Sequence, residues 1–309
     1  MILCLCPNPS IDKFIWIEEF KAGYVNRASK QKFYPGGKGV HVALGITELK
    51  EPCALLGYWG GSTGNYIRDY CKKSGIDCYG PEIEEPNRTC VTFRSAGNLD
   101  GTELLEPGPI IIEETNHSFW FEYLKLLDTA SAVCMSGSWP PTNAEIAYTE
   151  FVVAAKKRNI KTFVDCSGQN LKDVLTAKPY CIHINHHEGA EVFDEISPLK
   201  IVKAVLRGCE RAAITCGAEG LYLAEKNQIV HANCKLENII SSVGSGDALM
   251  AGLMVANKKQ LDIYETARLA AACGAANCIR EELGMFYKRD VDQLVVQAEL
   301  TMLDHELSL

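Results

Sequence analysis

The sequence contains no C-x-x-C pair, no G-x-x-x-x-G-K-[ST] loop, and no uncharged run reaching the roughly 18 residues a bilayer demands. The first absence removes the zinc-ribbon and thioredoxin-like signals, even though the chain has 14 cysteines. Cys4, Cys6, Cys53, Cys134 and Cys181 lie in apolar runs, where a reduced thiol acts as a small hydrophobe, so a reducing cytoplasm is the expected compartment. The second absence argues against a P-loop enzyme. The third, with a start that lacks a basic leader and a cleavage site, sets the expectation of a soluble, unexported protein. Positive charge is also scarce, with 31 Lys and Arg against 39 Asp and Glu and a formal net charge of −8. Nucleic acid and anionic membrane both call for a basic field, so neither is an expected partner, and an anionic substrate must find a local basic pocket. Internal repeats, low-complexity tracts and Pro/Ser-rich linkers are missing too.

What is present is the composition of a folded globular chain, with 47% hydrophobic and 23% charged residues over 309 positions. Short apolar or β-branched runs recur at 2–6, 53–56, 132–135, 162–165, 181–184 and 212–215, and read as strands buried on both faces. Helix signals separate them. Thr142 to Glu145 spells a capping box, Ser197-Pro198 an N-cap before a first-turn proline, and Gly75 and Gly208 suit helix C-termini. Strands alternating with helices predict an α/β fold with a doubly wound, mainly parallel sheet flanked by helices. Two segments break the rhythm: 11–34 has no helical period, and 88–106 reads as strand, a turn at 97–101, and strand. Together they predict a small β-sheet lid on a single domain spanning 1–309. Its exposed face can pair two chains as a homodimer or be covered within one.

The most informative stretch runs from Ile239 to Gly252, where an apolar segment passes through Gly244-Ser245-Gly246-Asp247 into a helix of small residues. Glycines there let an anion approach the main-chain amides, and the unpaired N–H groups at the helix start make a phosphate-sized hole. A carboxylate would repel that anion, so Asp247 makes sense as a general base; the plain alternative is an acid that favours the helix dipole. A second glycine turn, Pro35-Gly36-Gly37-Lys38-Gly39, also leads into a helix and suits a polyol or a phosphate, or else is an ordinary turn with a solvated lysine.

With both motifs in this order, the chain resembles the ribokinase-like sugar kinases of the phosphofructokinase B family along nearly its whole length. Pro7 to Asp12 and Asn87-Arg88-Thr89-Cys90 are similar to the branch containing 1-phosphofructokinase and tagatose-6-phosphate kinase. The resemblance implies a Mg2+- and ATP-dependent kinase acting on a ketohexose that already bears a phosphate. Asp12 would accept hydrogen bonds from sugar hydroxyls, Gly37, Lys38 and His41 would line the sugar site, and Arg88 would grip the existing phosphate. Ser136 would stand at the carboxyl edge of the sheet. Gly244, Ser245 and Gly246 would form the anion hole beside Asp247. Asn185 and Glu188 match an N-x-x-E pattern that would organise Mg2+, with Asp165 helping. Gly217 and Gly220 resemble the turn beside the nucleotide, and Asn277 would approach the adenine. Three departures stand out: His41 replaces a usual sugar-binding asparagine, Ser241 and Ser242 precede the anion hole, and His183 replaces a common lysine. Cys181, His183, His186 and His187 have spacing compatible with zinc, but strand alternation separates them, which favours a polar loop beside nucleotide phosphates. Two rival readings keep the fold: a kinase for an unphosphorylated sugar or nucleoside, and a sugar-phosphate-binding regulator without chemistry.

Overall fold

In the computed structural model, residues 1–95, 99–142, 148–282 and 284–303 are described. The chain opens with β1 (Ile2–Cys6), turns into β2 (Ser10–Ile17) and β3 (Lys30–Gly36), and enters α1 (Lys38–Glu48). Then come β4 (Cys53–Gly57), β5 (Trp59–Gly60), α2 (Gly61–Lys73), β6 (Asp77–Tyr79), β7 (Glu82–Ile83), β8 (Arg88–Ser95) and β9 (Glu103–Leu105). A regular alternation follows: α3 (Glu113–Leu127), β10 (Ala132–Ser136), α4 (Tyr148–Lys156), β11 (Lys161–Asp165), α5 (Gly168–Thr176), β12 (Cys181–Asn185), α6 (His186–Phe193), α7 (Pro198–Leu206) and β13 (Arg211–Thr215). The chain continues with β14 (Leu221–Glu225), β15 (Gln228–Asn233), α8 (Ser245–Lys258), α9 (Ile263–Cys278), α10 (Lys288–Gln297) and β16 (Glu299–Met302).

Each apolar run expected as a strand is one, because the strands of the main sheet are covered on both sides. Every residue of β1, β4 and β10 is buried. Alternate side chains serve two cores: Cys4 and Leu55 pack with Val42, Leu249 and Leu253 on one face, while Leu3, Leu56 and Val133 pack with Phe119 and Val152 on the other. Ten strands pair in the order β16-β15-β14-β13-β12-β11-β10-β1-β4-β6. The run from β13 to β6 is parallel, and β14, β15 and β16 extend it antiparallel. β1 sits where the winding reverses, between β4 and β10, the place at which open α/β sheets leave a crevice at their carboxyl edge.

β2, β3, β8 and β9 form a separate sheet in the order β3-β2-β8-β9. Of its expected turn, 97 and 98 lie outside the described residues, as do 143–145 of the expected capping box. Gly75 follows α2 at φ 83, with Gly75 N–H donating to Lys72 and Ile76 N–H to Cys71, the paired closure of a left-handed C-terminus. Gly208 differs. It follows Arg207 without a positive φ, and its missing β-carbon instead makes room for Leu175. Ser197 takes the N-cap position before Pro198, but its hydroxyl closes no cap bond.

Candidate active site

The register of the small sheet brings three motifs to one point. Ser10, the first residue of β2, stands between Gly36 on β3 and Arg88 on β8. Two residues on, Asp12 receives a 2.7 Å hydrogen bond from the Ser10 hydroxyl, and its carboxylate fills the space over Gly36, where a β-carbon would collide with it. Gly37 is the N-cap of α1 at φ 96, a conformation side chains rarely adopt. Val40 and His41 N–H both donate back to the Gly37 carbonyl, so the amides of Lys38 and Gly39 begin the helix with no acceptor inside it.

The second glycine turn makes the same device at α8. Gly244 caps the helix at φ 82, and the first helical bond runs from Ala248 N–H to the Gly244 carbonyl. Gly246 and Asp247 therefore offer amides without an intrahelical acceptor. The loop is anchored from behind: Asn277 Nδ2 donates to the Val243 carbonyl at 2.9 Å, and Ile240 N–H donates to the Cys278 carbonyl at 2.8 Å. Gly246 also lets the turn pass His183, whose Cε1 a β-carbon would approach at 3.0 Å.

His41 joins the two helices. Its Nδ1 donates to Asp247 Oδ2 at 2.9 Å, and its Nε2 lies 3.3 Å from Asp12 Oδ2 as a charge contact without hydrogen-bond alignment. All three side chains are buried. Burial alone would push the imidazole down, but the two carboxylates of Asp12 and Asp247 beside it prevail and lift it to about 10. Burial would raise Asp12, yet His41 and Ser10 hold it below the ordinary carboxylate value. For Asp247 burial wins and its carboxyl is raised, against the pull of His41 and Lys38.

A second Asp–His pair stands at the strand ends. Lys38 Nζ donates to Asp165 Oδ1 at 2.7 Å, and His183 Nδ1 donates to Asp165 Oδ2 at 2.8 Å, with Thr215 Oγ1 at 3.4 Å from His183 Nε2. Burial would raise Asp165, but the Lys38 charge and the His183 bond drive it well below the usual range. Asp165 in turn raises Lys38.

Between these groups lies a cavity of about 350 Å3. Of the expected residues, Asp12, Gly37, Lys38, His41, Arg88, Ser136, Asp165, Gly244 and Asp247 line it. Three buried polar atoms on its wall have no hydrogen-bond partner among the described residues: Asn8 Oδ1, Arg88 Nε and Ser136 Oγ. Buried polar atoms are nearly always paired, so orphans gathered on one wall mark a place built for a polar ligand. Asn8, Ser10 and Cys90 escaped individual notice in the sequence although they belong to the Pro7 to Asp12 and Asn87 to Cys90 motifs; Thr92 and Glu103 of the small sheet had no signal beyond strand alternation.

The remaining expected residues stand off this cavity. Asn185 and Glu188 close a reciprocal capping box on α6, Glu188 N–H donating to Asn185 Oδ1 at 2.9 Å and Asn185 N–H to Glu188 Oε2 at 2.8 Å. Gly217 and Gly220 bracket the turn after β13, at φ 56 and 94. Asn277 is buried, its amide nitrogen spent on the anion loop and its Oδ1 unpartnered. The pairings Ser136 with Asp165, Asp165 with His183, and Asn185 with Thr215 set these strand ends along one edge. His183 turns to Asp165, while the rings of His186 and His187 lie 3.8 Å apart on α6.

The sequence profile of the pfkB family carbohydrate kinases matches residues 8–285. This chain belongs to the pfkB family of carbohydrate kinases. A 1-phosphofructokinase of Bacillus subtilis is 30% identical to this family member over 310 residues, covering 98% of this chain and 100% of the relative. A tagatose-6-phosphate kinase of Staphylococcus epidermidis is 30% identical over 309 residues, covering 97% and 99%. The crystal structure of a ribokinase from Thermotoga maritima superposes with a TM-score of 0.78 at 18% identity, covering 96% and 99%, and shows the shared fold. Among the described residues no helix is long and apolar enough to cross a membrane.

Proposed function

We propose that the protein transfers the γ-phosphate of ATP to a hydroxyl of a ketohexose that already carries a phosphate, of the fructose 1-phosphate or tagatose 6-phosphate type. One observation carries this reading: the Asp247 carboxylate lies in a polar cavity between two helix N-termini, with Lys38 and Arg88 on the walls. The names of the two 30%-identical relatives support the acceptor class.

In this reading Asp12, with the orphaned Asn8 Oδ1, binds sugar hydroxyls, and the acceptor hydroxyl lies against Asp247. Asp247 takes its proton as the oxygen attacks the γ-phosphorus and the bond to ADP breaks. Gly246 and Asp247 amides, with Lys38, stabilise the charge on the phosphoryl oxygens. Arg88 grips the phosphate already on the sugar; its Nη1 donates to the Glu106 carbonyl while Nε remains available. Nucleotide would lie along the edge formed by Asn185, Gly217 and Gly220, with Asn277 holding the loop above it.

Mg2+ accompanies ATP in such chemistry and keeps several of its waters. Among the described residues no group of three His, Cys, Asp or Glu side chains is placed to cage a metal. Asp165 is committed to Lys38 and His183, and Asn185 and Glu188 to each other. These residues fit an ion brought in by the nucleotide: Glu188, Asn185 and Asp165 would hold its waters, and the ion would supply positive charge beside the phosphates. The small sheet acts as the lid over a single catalytic domain spanning 1–309. Its edge strand β9 exposes Leu104 and Leu105 at 61% and 59%, which supports closure over ligand or pairing with a second chain as a homodimer. Cytoplasm is the matching compartment for its ATP and for its 14 free cysteines.

The test is ADP release from purified protein with ATP and each of fructose 1-phosphate, fructose 6-phosphate and tagatose 6-phosphate. Turnover with one of the phosphorylated ketoses supports the reading. Turnover only with unphosphorylated sugars or nucleosides moves the acceptor class, and none with any sugar leaves the regulator.

A further inference from the structure

His41 is the residue that ties the site together. His41 is on α1, Asp12 on β2 and Asp247 on α8, and the imidazole spans the gap between the two carboxylates. No other described side chain makes a hydrogen bond to Asp247. Behind the ring, Gly284 packs so closely that a β-carbon there would collide with His41 Cγ and Cβ.

Resting on the kinase reading, we propose that His41 is a positioning residue that stays doubly protonated, orienting the Asp247 carboxylate and keeping it charged so that it can accept the hydroxyl proton. The argument is one of opposing terms. A carboxyl as buried as Asp247 is drawn toward its neutral acid, and a neutral acid cannot act as a base. A donated N–H bond of 2.9 Å from a cation opposes this directly. Placing His41 between two carboxylates is what keeps the cation charged in turn, since the three groups together carry one net negative charge rather than two. The other charged or titratable groups around them are Lys38 at the start of α1, Arg88 and the Cys90 thiol on β8, Glu103 on β9, Asp165 at the end of β11 and the Cys6 thiol on β1. During transfer the hydroxyl proton passes to Asp247, the new O–P bond forms, and ADP leaves with the electron pair of the broken bond. His41 keeps both of its protons throughout and Asp247 later releases its own to solvent.

An asparagine at 41 retains a donor of similar reach but removes the charge. The expected result for His41→Asn is an acid limb of the kcat/KM profile moved upward by about one pH unit or more, with activity approaching the wild-type level at alkaline pH. A profile that superposes on wild type after scaling by one factor would show a merely structural role and overturn the inference. Histidine-labelled NMR of the unaltered, ligand-free protein supplies a readout independent of turnover: the His41 imidazole should remain protonated at pH 8, and a neutral ring at pH 7 overturns the proposal. Wild-type protein inactive on every sugar would sink the kinase reading alone, since the NMR titration still decides the state of His41.

Discussion

Two aspartates open on the same cavity, each bonded to an imidazole, and their acidities are driven in opposite directions. Asp165 has His183 on one oxygen and Lys38 on the other, and lies well below the ordinary carboxylate value. Among the described residues Asp247 accepts a side-chain hydrogen bond from His41 alone, which also faces Asp12, and burial leaves it raised. The difference teaches which carboxylate is suited to proton transfer: a group pinned by two donors is a structural anion, whereas one with a single donor and a raised proton affinity is poised to exchange protons. One ammonium group, at the first residue of α1, accounts for much of the contrast.

The sharpest way to break this pairing is to neutralise each member in turn. Asp247→Asn should leave sugar and nucleotide affinity near wild type and lower kcat by about 10^2- to 10^4-fold in steady-state assays. Retention of more than about a tenth of kcat would reject the assigned base. Arg88→Ala should raise KM about ten- to a hundredfold for the phosphorylated ketose, with little change in KM for ATP, as expected when a charged hydrogen bond is lost. An equal rise for an unphosphorylated analogue would show that Arg88 reads something other than phosphate. Asp165→Asn should lower stability by about 2 kcal/mol in denaturant titrations; the figure is kept below that of a fully buried pair because Lys38 is partly solvated.

A further prediction is a pH dependence of stability. His41 has a folded value near 10 against an ordinary 6.5, so its attraction to the two carboxylates stabilises the fold fully below about pH 6.5 and is lost as pH rises through 10. The Tm difference between wild type and His41→Asn should therefore be largest near the acid end of this window and shrink toward the alkaline end. A difference that grows with pH would reverse the assignment of charge.

Much of the architecture was legible because parallel strands covered on both faces leave unbroken apolar runs, as β1, β10 and β12 do. The antiparallel extension beyond Thr215 was not, since β14 and β15 carry half-exposed residues that blur the run. In the site, Asp12, Lys38, Arg88 and Asp247 could be singled out because each sits in a short motif with its own backbone logic. The bond from His41 to Asp247 links positions 206 residues apart, and no local pattern encodes it. Asn185 and Glu188 carry two readings at once: the N-x-x-E pattern that the resemblance ties to Mg2+ has the spacing of the capping box these residues form before α6. Asn277, which the resemblance places near the adenine, donates to the Val243 carbonyl, a bond that joins positions 34 residues apart and has no local pattern.

The pairing of Ser10 with both Gly36 and Arg88 has a consequence for how this chain can be altered. Side chains on a strand alternate sides, so inserting one residue between Pro9 and Asp12 would turn Asp12 outward and move Ser10 off both neighbours at once. Lengthening the exposed connection between β2 and β3 would disturb none of these rungs. Acceptor preference in this scaffold should therefore change through substitutions that keep the ladder in register, while insertions and deletions accumulate at its far end.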